Sequence, residues 1–467
     1  MITVVVPVFL LLFIILCKKI PKIGGNINIA LFVAGIASLL MGGIQSPIEW
    51  VQAWISGIDK IAWVICLSIF GSIYSESQVK LGTLDTVMRC LKAKFGHSPR
   101  SLVVCIIIAL VIAGSLLGDA IAASTVIGVL TVVTLSQIGM APEVICFTIV
   151  MGASLGSIMP PISQALFMSS ALLGIDTDPV IKIAFLTVGI GVILSCIYVT
   201  TFFVNKNAVL VNLDEDGNEI KGEKASTILK ENWTSLIPLM ILVLIVIFRT
   251  VEISAIKVDI IPLVLNQITI EQKPLLEFLG GIPILKGLSN VIVLAIIVVT
   301  IVSFCFPKVY KDGKNTLKMG LINVKSSVMI QVFAAFMLGA FYAGGQIEAV
   351  QIFAQSLNEN LLKLGGGFAL MIIGMLTGSQ ATAQNVIFSF FGPALVSIGV
   401  NPVHAAIAGS HLAAGGMGLP PADLTTFCVA GIVGGMLKQK VNPVKSMIYM
   451  APMCLYLSAV GILFMYI

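Results

Sequence analysis

Two proline pairs, each preceded by glycines and small residues, interrupt apolar stretches of this chain: GSIMPPIS from Gly156 and GMGLPPAD from Gly416. Proline removes an amide donor and clashes with the turn before it, so each pair breaks a helix. A break at membrane depth frees carbonyls and amides that hydrocarbon cannot satisfy, so they must be buried in protein or line a cavity. Freed carbonyls coordinate a small cation such as sodium, and half-helix N-termini hold an anion through their N–H groups and dipole. The candidate cation ligands at the breaks are Gly156, Ser157, Gly416, Gly418 and Asp423. Ser163 and Gln164 are candidates for contacting a substrate.

Upstream of each break lies a cluster of small and polar residues in another apolar stretch. In the first, Gly118 and Asp119 are candidate ion ligands, and Ser124 and Thr125 candidate substrate contacts. In the second, Gly378 and Ser379 take the ion role, and Gln380, Thr382, Gln384 and Asn385 the substrate role. The plainer reading of such clusters is close helix packing. An acid at membrane depth costs about 2.5–3.5 kcal/mol on insertion scales, so Asp119 and Asp423 must be paired, solvated or functional. Each has two readings, a cation or proton ligand and a helix N-cap. His404 and His411, seven apart, likewise read as a proton relay or as buried, hydrogen-bonded histidines. No catalytic residues and no transition-metal ligands stand out: His-Glu-x-x-His and Gly-x-Ser-x-Gly are absent, and LLGD at Asp119 does not meet the Gly-x-Gly-Asp of intramembrane aspartyl proteases. A channel would also use re-entrant loops, but paired hairpins suit exchange between two access states better.

The two regions are copies. Gly118, Ala123, Gly156, Pro160, Pro161 and Gly174 recur at a constant offset as Gly378, Ala383, Gly416, Pro420, Pro421 and Gly434. Paired, Gly/Pro-interrupted apolar segments in corresponding halves are the best sequence pointer to a secondary transporter's site. Asp119 aligns with Ser379 and Asp423 with Ser163, so each copy carries one acid in the other's neutral slot.

The elements that hold these clusters follow from composition. With 58% hydrophobic and 10% charged residues, and a mean hydropathy of +1.07, the chain reads as an all-α polytopic membrane protein whose first partner is the lipid bilayer. Nucleic acid is excluded, because no basic stripe is interleaved with aromatics. The nine cysteines have no Cys-x-x-Cys spacing and read as small buried hydrophobes. The first apolar run reads as a retained anchor. An EF-hand at Asp214–Asn218 fails for want of the acidic spacing.

Lysines and arginines collect in five clusters, around Lys18, Arg89, Lys224, Lys311 and Lys440. Keeping all five in the cytoplasm makes the two copies inverted repeats, each a re-entrant helical hairpin followed by a broken transmembrane helix. The expected organisation has N-terminal scaffold helices and an amphipathic arm (1–100). A first repeat follows (101–178; hairpin 102–137, broken helix 144–174). Further scaffold helices (179–364) carry a cytoplasmic loop (205–235) and a mixed outer segment (249–289). The second repeat (365–437; hairpin 366–396, broken helix 404–436) precedes a C-terminal transmembrane helix (438–467). Segments 79–98 and 346–364 read as interfacial arms, and Glu76 and Glu348 as solvated near an interface.

GSLLGDAIAAST at Gly114, GASLGSIMPPIS at Gly152 and IGVNPVHAAIAGSHLAAGGMGLPPAD at Ile398 resemble the signatures of the large membrane subunit of tripartite ATP-independent periplasmic (TRAP) transporters, DctM-like, within the ion-transporter superfamily. The resemblance implies an elevator-type, sodium-coupled importer of a small organic anion, two sodium ions held by hairpin tips and broken helices, and no other cofactor. It further implies a bacterial cytoplasmic membrane, with a small four-helix membrane subunit and a soluble binding protein as partners. The family's Thr-Pro-Thr-Glu-Ala-like motif between halves has no match here. A stand-alone or proton-coupled superfamily transporter remains the alternative.

Overall fold

The computed structural model describes residues 2–17, 21, 23–95, 98–205, 224–250 and 260–467. The rejected calcium loop at Asp214–Asn218 and most of loop 205–235 lie outside them. Almost every described element is helical; the exception is a ladder of Thr269–Ile270 with Lys273–Pro274. Among the described residues, five helices are each long and apolar enough to cross a bilayer, or six with the bent helix Gly313–Ala343.

That bent helix and Pro47–Leu81 form the wall against which the repeats are placed. They cross through two glycines. A Cβ on Gly57 would sit 1.8 Å from the Ala335 carbonyl oxygen, and one on Gly339 would sit 1.9 Å from that of Ala53. Small residues at such a crossing let the backbones touch, which is how helices associate where lipid offers no hydrophobic contrast. Trp54 reinforces the crossing by donating from Nε1 to the Val332 carbonyl at 3.0 Å. The sequence showed only an apolar run at 61–74. The real helix extends far beyond it at both ends, because its polar residues are spread around a helix rather than confined to a loop. Its C-terminal end is fixed by a polar network: Gln78 Nε2 donates to Ser303 Oγ at 2.9 Å, and Thr83 Oγ1 to the Ser235 carbonyl at 2.6 Å. The amphipathic helix Thr83–Phe95 follows.

The two repeats have the same succession of elements. Helix Pro99–Leu117 ends at Gly118, a short turn Ala120–Ala123 leads into a π-helical turn Ser124–Gly128, and helix Val129–Gln137 returns. Helix Glu359–Thr377 ends at Gly378, followed by Gln380–Ala383, the π turn Gln384–Phe388 and Ser389–Ser397. Each broken helix comes next, as Pro142–Ile158 with Gln164–Leu173, and as Pro402–Met417 with Leu424–Leu437. Both Pro-Pro bonds are cis. The second hairpin begins at Glu359, not at residue 366. Glu359 and Lys363 looked like loop charges, yet one turn apart on the helix they pair with each other, and the Lys363 ammonium lies 4.6 Å from the Tyr466 ring centroid. Helices Asp178–Phe202 and Pro443–Phe464, which the sequence placed outside the repeats, pack on them. Tyr456 Oη donates to the Thr187 carbonyl at 2.6 Å.

The wall crossing is directly testable. Gly339→Val should cost at least about 1–3 kcal/mol through overpacking, while Gly365→Ala, with open space around its Cβ position, should be neutral or stabilising. Thermal unfolding in detergent reads both, and equal melting temperatures would refute the crossing.

Candidate functional site

At each hairpin tip a glycine in the left-handed region turns the chain: Gly118 with φ 66° and Gly378 with φ 61°. A Cβ on Gly378 would sit 1.9 Å from the Ala422 carbonyl oxygen, so tip and break touch through backbone. The next residue caps the short tip helix. Asp119 Oδ1 accepts the Ala122 amide at 2.7 Å, and Ser379 Oγ accepts the Thr382 amide at 3.2 Å. At the breaks the same device recurs with the residue types exchanged. Ser163 Oγ accepts the Leu166 amide at 3.3 Å. Fully buried Asp423 accepts the Thr425 and Thr426 amides at 3.1 and 3.2 Å, and the Thr426 hydroxyl as well. Both acids are therefore N-caps, as the plainer reading had it.

Tips and breaks meet at a cavity of about 430 Å³. Gly118, Asp119 and Gln164 of the first repeat and Gly378, Ser379 and Gln380 of the second line one side. Ser68, Ser72, Ser75 and Glu76 of the wall helix, with Asn323 of its partner, line the other. Asn323 Nδ2 donates to Glu76 Oε2 at 3.3 Å. Glu76, read from sequence as a solvated interfacial acid, is thus part of the cavity wall. The sequence carried a signal for this: 68, 72, 75 and 76 share one face of the helix. Among the described residues no lysine, arginine or histidine lines this cavity.

The remaining candidates stand outside the cavity. Gly156 and Gly416 are backbone contacts: a Cβ on Gly156 would lie 2.6 Å from the Val111 carbonyl oxygen, and one on Gly416 would lie 2.3 Å from that of Met371. Gly418 abuts Cys454 and Met450. Ser157 Oγ donates to the Ser154 carbonyl at 2.8 Å, and Ser124 Oγ to the Ile121 carbonyl at 2.9 Å. Thr382 Oγ1 donates to Ser379 Oγ at 3.0 Å, and Asn385 Nδ2 to the Ala381 carbonyl at 2.8 Å. The Thr125 side chain is not among those described. Gln384 joins the two repeats, donating from Nε2 to the Ala165 carbonyl at 2.6 Å and to Ser169 Oγ at 2.7 Å. A carbonyl only accepts, so this fixes the amide's orientation and leaves Gln384 Oε1 buried without a donor. Gln380 Oε1 is similarly orphaned. An unmet buried acceptor costs about 1–3 kcal/mol, so both oxygens are poised for a donor or a cation.

His411 is not exposed to the cavity. Its Nδ1 lies 3.0 Å from the Ile407 carbonyl, and its Nε2 lies 2.9 Å from Thr187 Oγ1. Nδ1 therefore carries the hydrogen and Nε2 accepts, tying the second broken helix to Asp178–Phe202. His404 packs edge-on against Phe464 at 5.3 Å. Neither histidine lines the cavity.

Two paired hairpins and two broken helices enclosing a polar cavity within a polytopic helical protein define a membrane transporter, not an enzyme. Over residues 9–467 the chain matches the family described as "Tripartite ATP-independent periplasmic transporter, DctM component". It belongs to that family and is accordingly a multi-pass secondary transporter of the TRAP type. No curated protein matches it in sequence. Solved structures share the fold. The Alcanivorax borkumensis YdaH transporter superposes with a TM-score of 0.62 at 14% identity, covering 98% of this chain and 97% of its own. Neisseria gonorrhoeae MtrF, described among antimetabolite efflux pumps, gives 0.62 at 13%, covering 98% and 94%.

Asp423→Ala should lower stability by about 0.5–2 kcal/mol, as loss of a cap does, and Asp423→Asn should restore most of it. A melting temperature unchanged in Asp423→Ala would contradict the capping role.

Proposed function

We propose that this chain imports a small organic anion by sodium-coupled alternating access, the two inverted repeats moving as an elevator against the wall of Pro47–Leu81 and Gly313–Ala343. The observation that carries this reading is the cavity between both tips and the wall, bounded by carboxylates and free of cationic side chains among the described residues. An anion entering beside Asp119 and Glu76 is repelled unless a cation accompanies it. Co-bound sodium removes that repulsion, so the anion's affinity becomes conditional on the ion, which is the thermodynamic content of coupling. The orphaned oxygen Gln380 Oε1, on the cavity wall with the carboxylates of Asp119 and Glu76, supplies a hard oxygen ligand suited to such an ion. The transport membrane in this reading is the bacterial cytoplasmic membrane, with the basic clusters inside. As one component of a tripartite system, the chain works with a small four-helix membrane subunit and a periplasmic binding protein.

Proteoliposomes test this with a labelled organic-acid mixture, the chain alone and the chain with its two partners, under sodium, potassium and pH gradients. Accumulation is expected only with an inward sodium gradient. Asp119→Asn should raise the sodium concentration for half-maximal uptake about tenfold, the scale of a lost charge contact. Accumulation driven equally by a pH gradient without sodium would reject sodium coupling. A flux that never exceeds the substrate's own gradient would reject coupling altogether.

A further inference from the structure

Around the kink of the wall helix lies a second cavity, of about 760 Å³. Its scaffold side carries Lys60, Trp63 and Tyr342. Its repeat side is formed by the ends of helices Gln164–Leu173 and Ser389–Ser397. Lys286 enters from the turn Leu285–Ser289. The turn reaches the wall because Gly287 has no side chain: a Cβ there would lie 2.4 Å from the Ala62 carbonyl carbon. That contact falls at the kink of the wall helix, at Ile61. Asp59 Oδ1 holds the same segment by accepting the Ile284 amide at 2.6 Å.

The two lysines have no ion pair among the described residues, although Asp59 and Glu348 line the same cavity. Lys60 rests its ammonium 3.7 Å from the Tyr342 ring centroid. An aromatic face attracts a cation without filling its hydrogen bonds. Two ammonium groups without an ion pair among the described residues, Asp59 being engaged by the Ile284 amide, leave N–H donors free to meet an anion in this cavity. The cavity between the tips differs from it, with Glu76 and Asp119 and, among the described residues, no cationic side chain. Sixteen positions of the wall helix, with its kink at Ile61, separate Lys60 from Glu76.

We propose that Lys60 and Lys286 form a carboxylate-binding entry site, distinct from the cavity between the tips, that recruits the organic anion before the repeats engage it. This rests on the organic-anion reading above for its physiological ligand, but not for the binding itself. Trp63 places the entry site on the sliding boundary: it lines this cavity and meets Phe167 of the first broken helix edge-on at 5.4 Å. An anion held there lies where the repeats must pass.

The test is protection from labelling. The full-length protein in liposomes is treated with an amine-reactive reagent in acetate, succinate or citrate, against chloride at matched ionic strength, and labelling is read peptide by peptide. Carboxylates should slow modification of Lys60 and Lys286 severalfold while leaving exposed Lys308 unchanged. Lys286→Gln should abolish the protection of Lys60, and Lys60→Arg should preserve that of Lys286. Equal labelling in carboxylate and chloride would overturn the proposal, as would protection seen only after a binding protein is added, which assigns the pair to a protein contact. Where uptake is measurable, Lys60→Gln should raise the half-saturating concentration for entry from the lysine side about tenfold and leave exit from the other side unchanged; equal effects on both would point to a structural role. Protection without transport of any acid would sink the importer reading and keep the site. Transport without protection would do the reverse.

Discussion

Backbone polarity in a medium that cannot solvate it governs this structure. Every interruption that creates a site also frees N–H and C=O groups, and each must find a partner inside the protein. The Ile162 amide, freed by the first break, donates to the Ser115 carbonyl of the adjacent hairpin arm at 3.0 Å. Asp119, Ser163, Ser379 and Asp423 each cap a half-helix that the breaks and tips create. Glycines at 114 and 156, and again at 374 and 416, bring arm and broken helix to backbone contact, leaving little space for lipid or water between them. The interrupted segments are affordable because their surroundings close around them.

The two repeats satisfy this constraint alike in shape and differently in charge. An acid caps the tip in one copy and the break in the other, so one carboxylate faces the shared cavity while its counterpart is sealed beneath threonines. The wall contributes the second cavity carboxylate, Glu76, and the serine stripe. The cavity lining is therefore divided between the repeats, which supply the tips and the orphaned Gln380 oxygen, and the scaffold, which supplies a polar face. The fold is shared with YdaH and MtrF at 13–14% identity.

Much of this was legible in the sequence where the signal was local. The offset copies, the Gly-Pro-Pro breaks and the turns at Gly118 and Gly378 follow from proline and glycine stereochemistry, which acts within a few residues. The candidates at Gly118, Asp119, Gln164, Gly378, Ser379 and Gln380 do line one cavity. Gly156, Gly416 and Gly418 were chosen for the same smallness that in fact serves packing; a glycine's sequence neighbours do not reveal whether its missing side chain admits an ion or another backbone. Glu76 and Asn323 were missed because their meeting depends on the crossing of two helices 247 positions apart in the chain. The start of the second hairpin was misplaced because Glu359 and Lys363 neutralise each other only once a helix sets them one turn apart.

Gln384 carries a consequence for biogenesis. The arm, tip and broken helix of the first repeat make their mutual backbone contacts within residues 99–173, so this unit can consolidate in the bilayer while the second is still being synthesised. Its seam with the second repeat includes an amide reaching back from the later half to Ala165 and Ser169, and the Cys146 thiol, which donates to the Thr426 carbonyl at 3.8 Å. The later half thus supplies partners that the first cannot make alone: a chain ending before the π turn at 384 leaves the Ala165 carbonyl and the Ser169 hydroxyl without that amide.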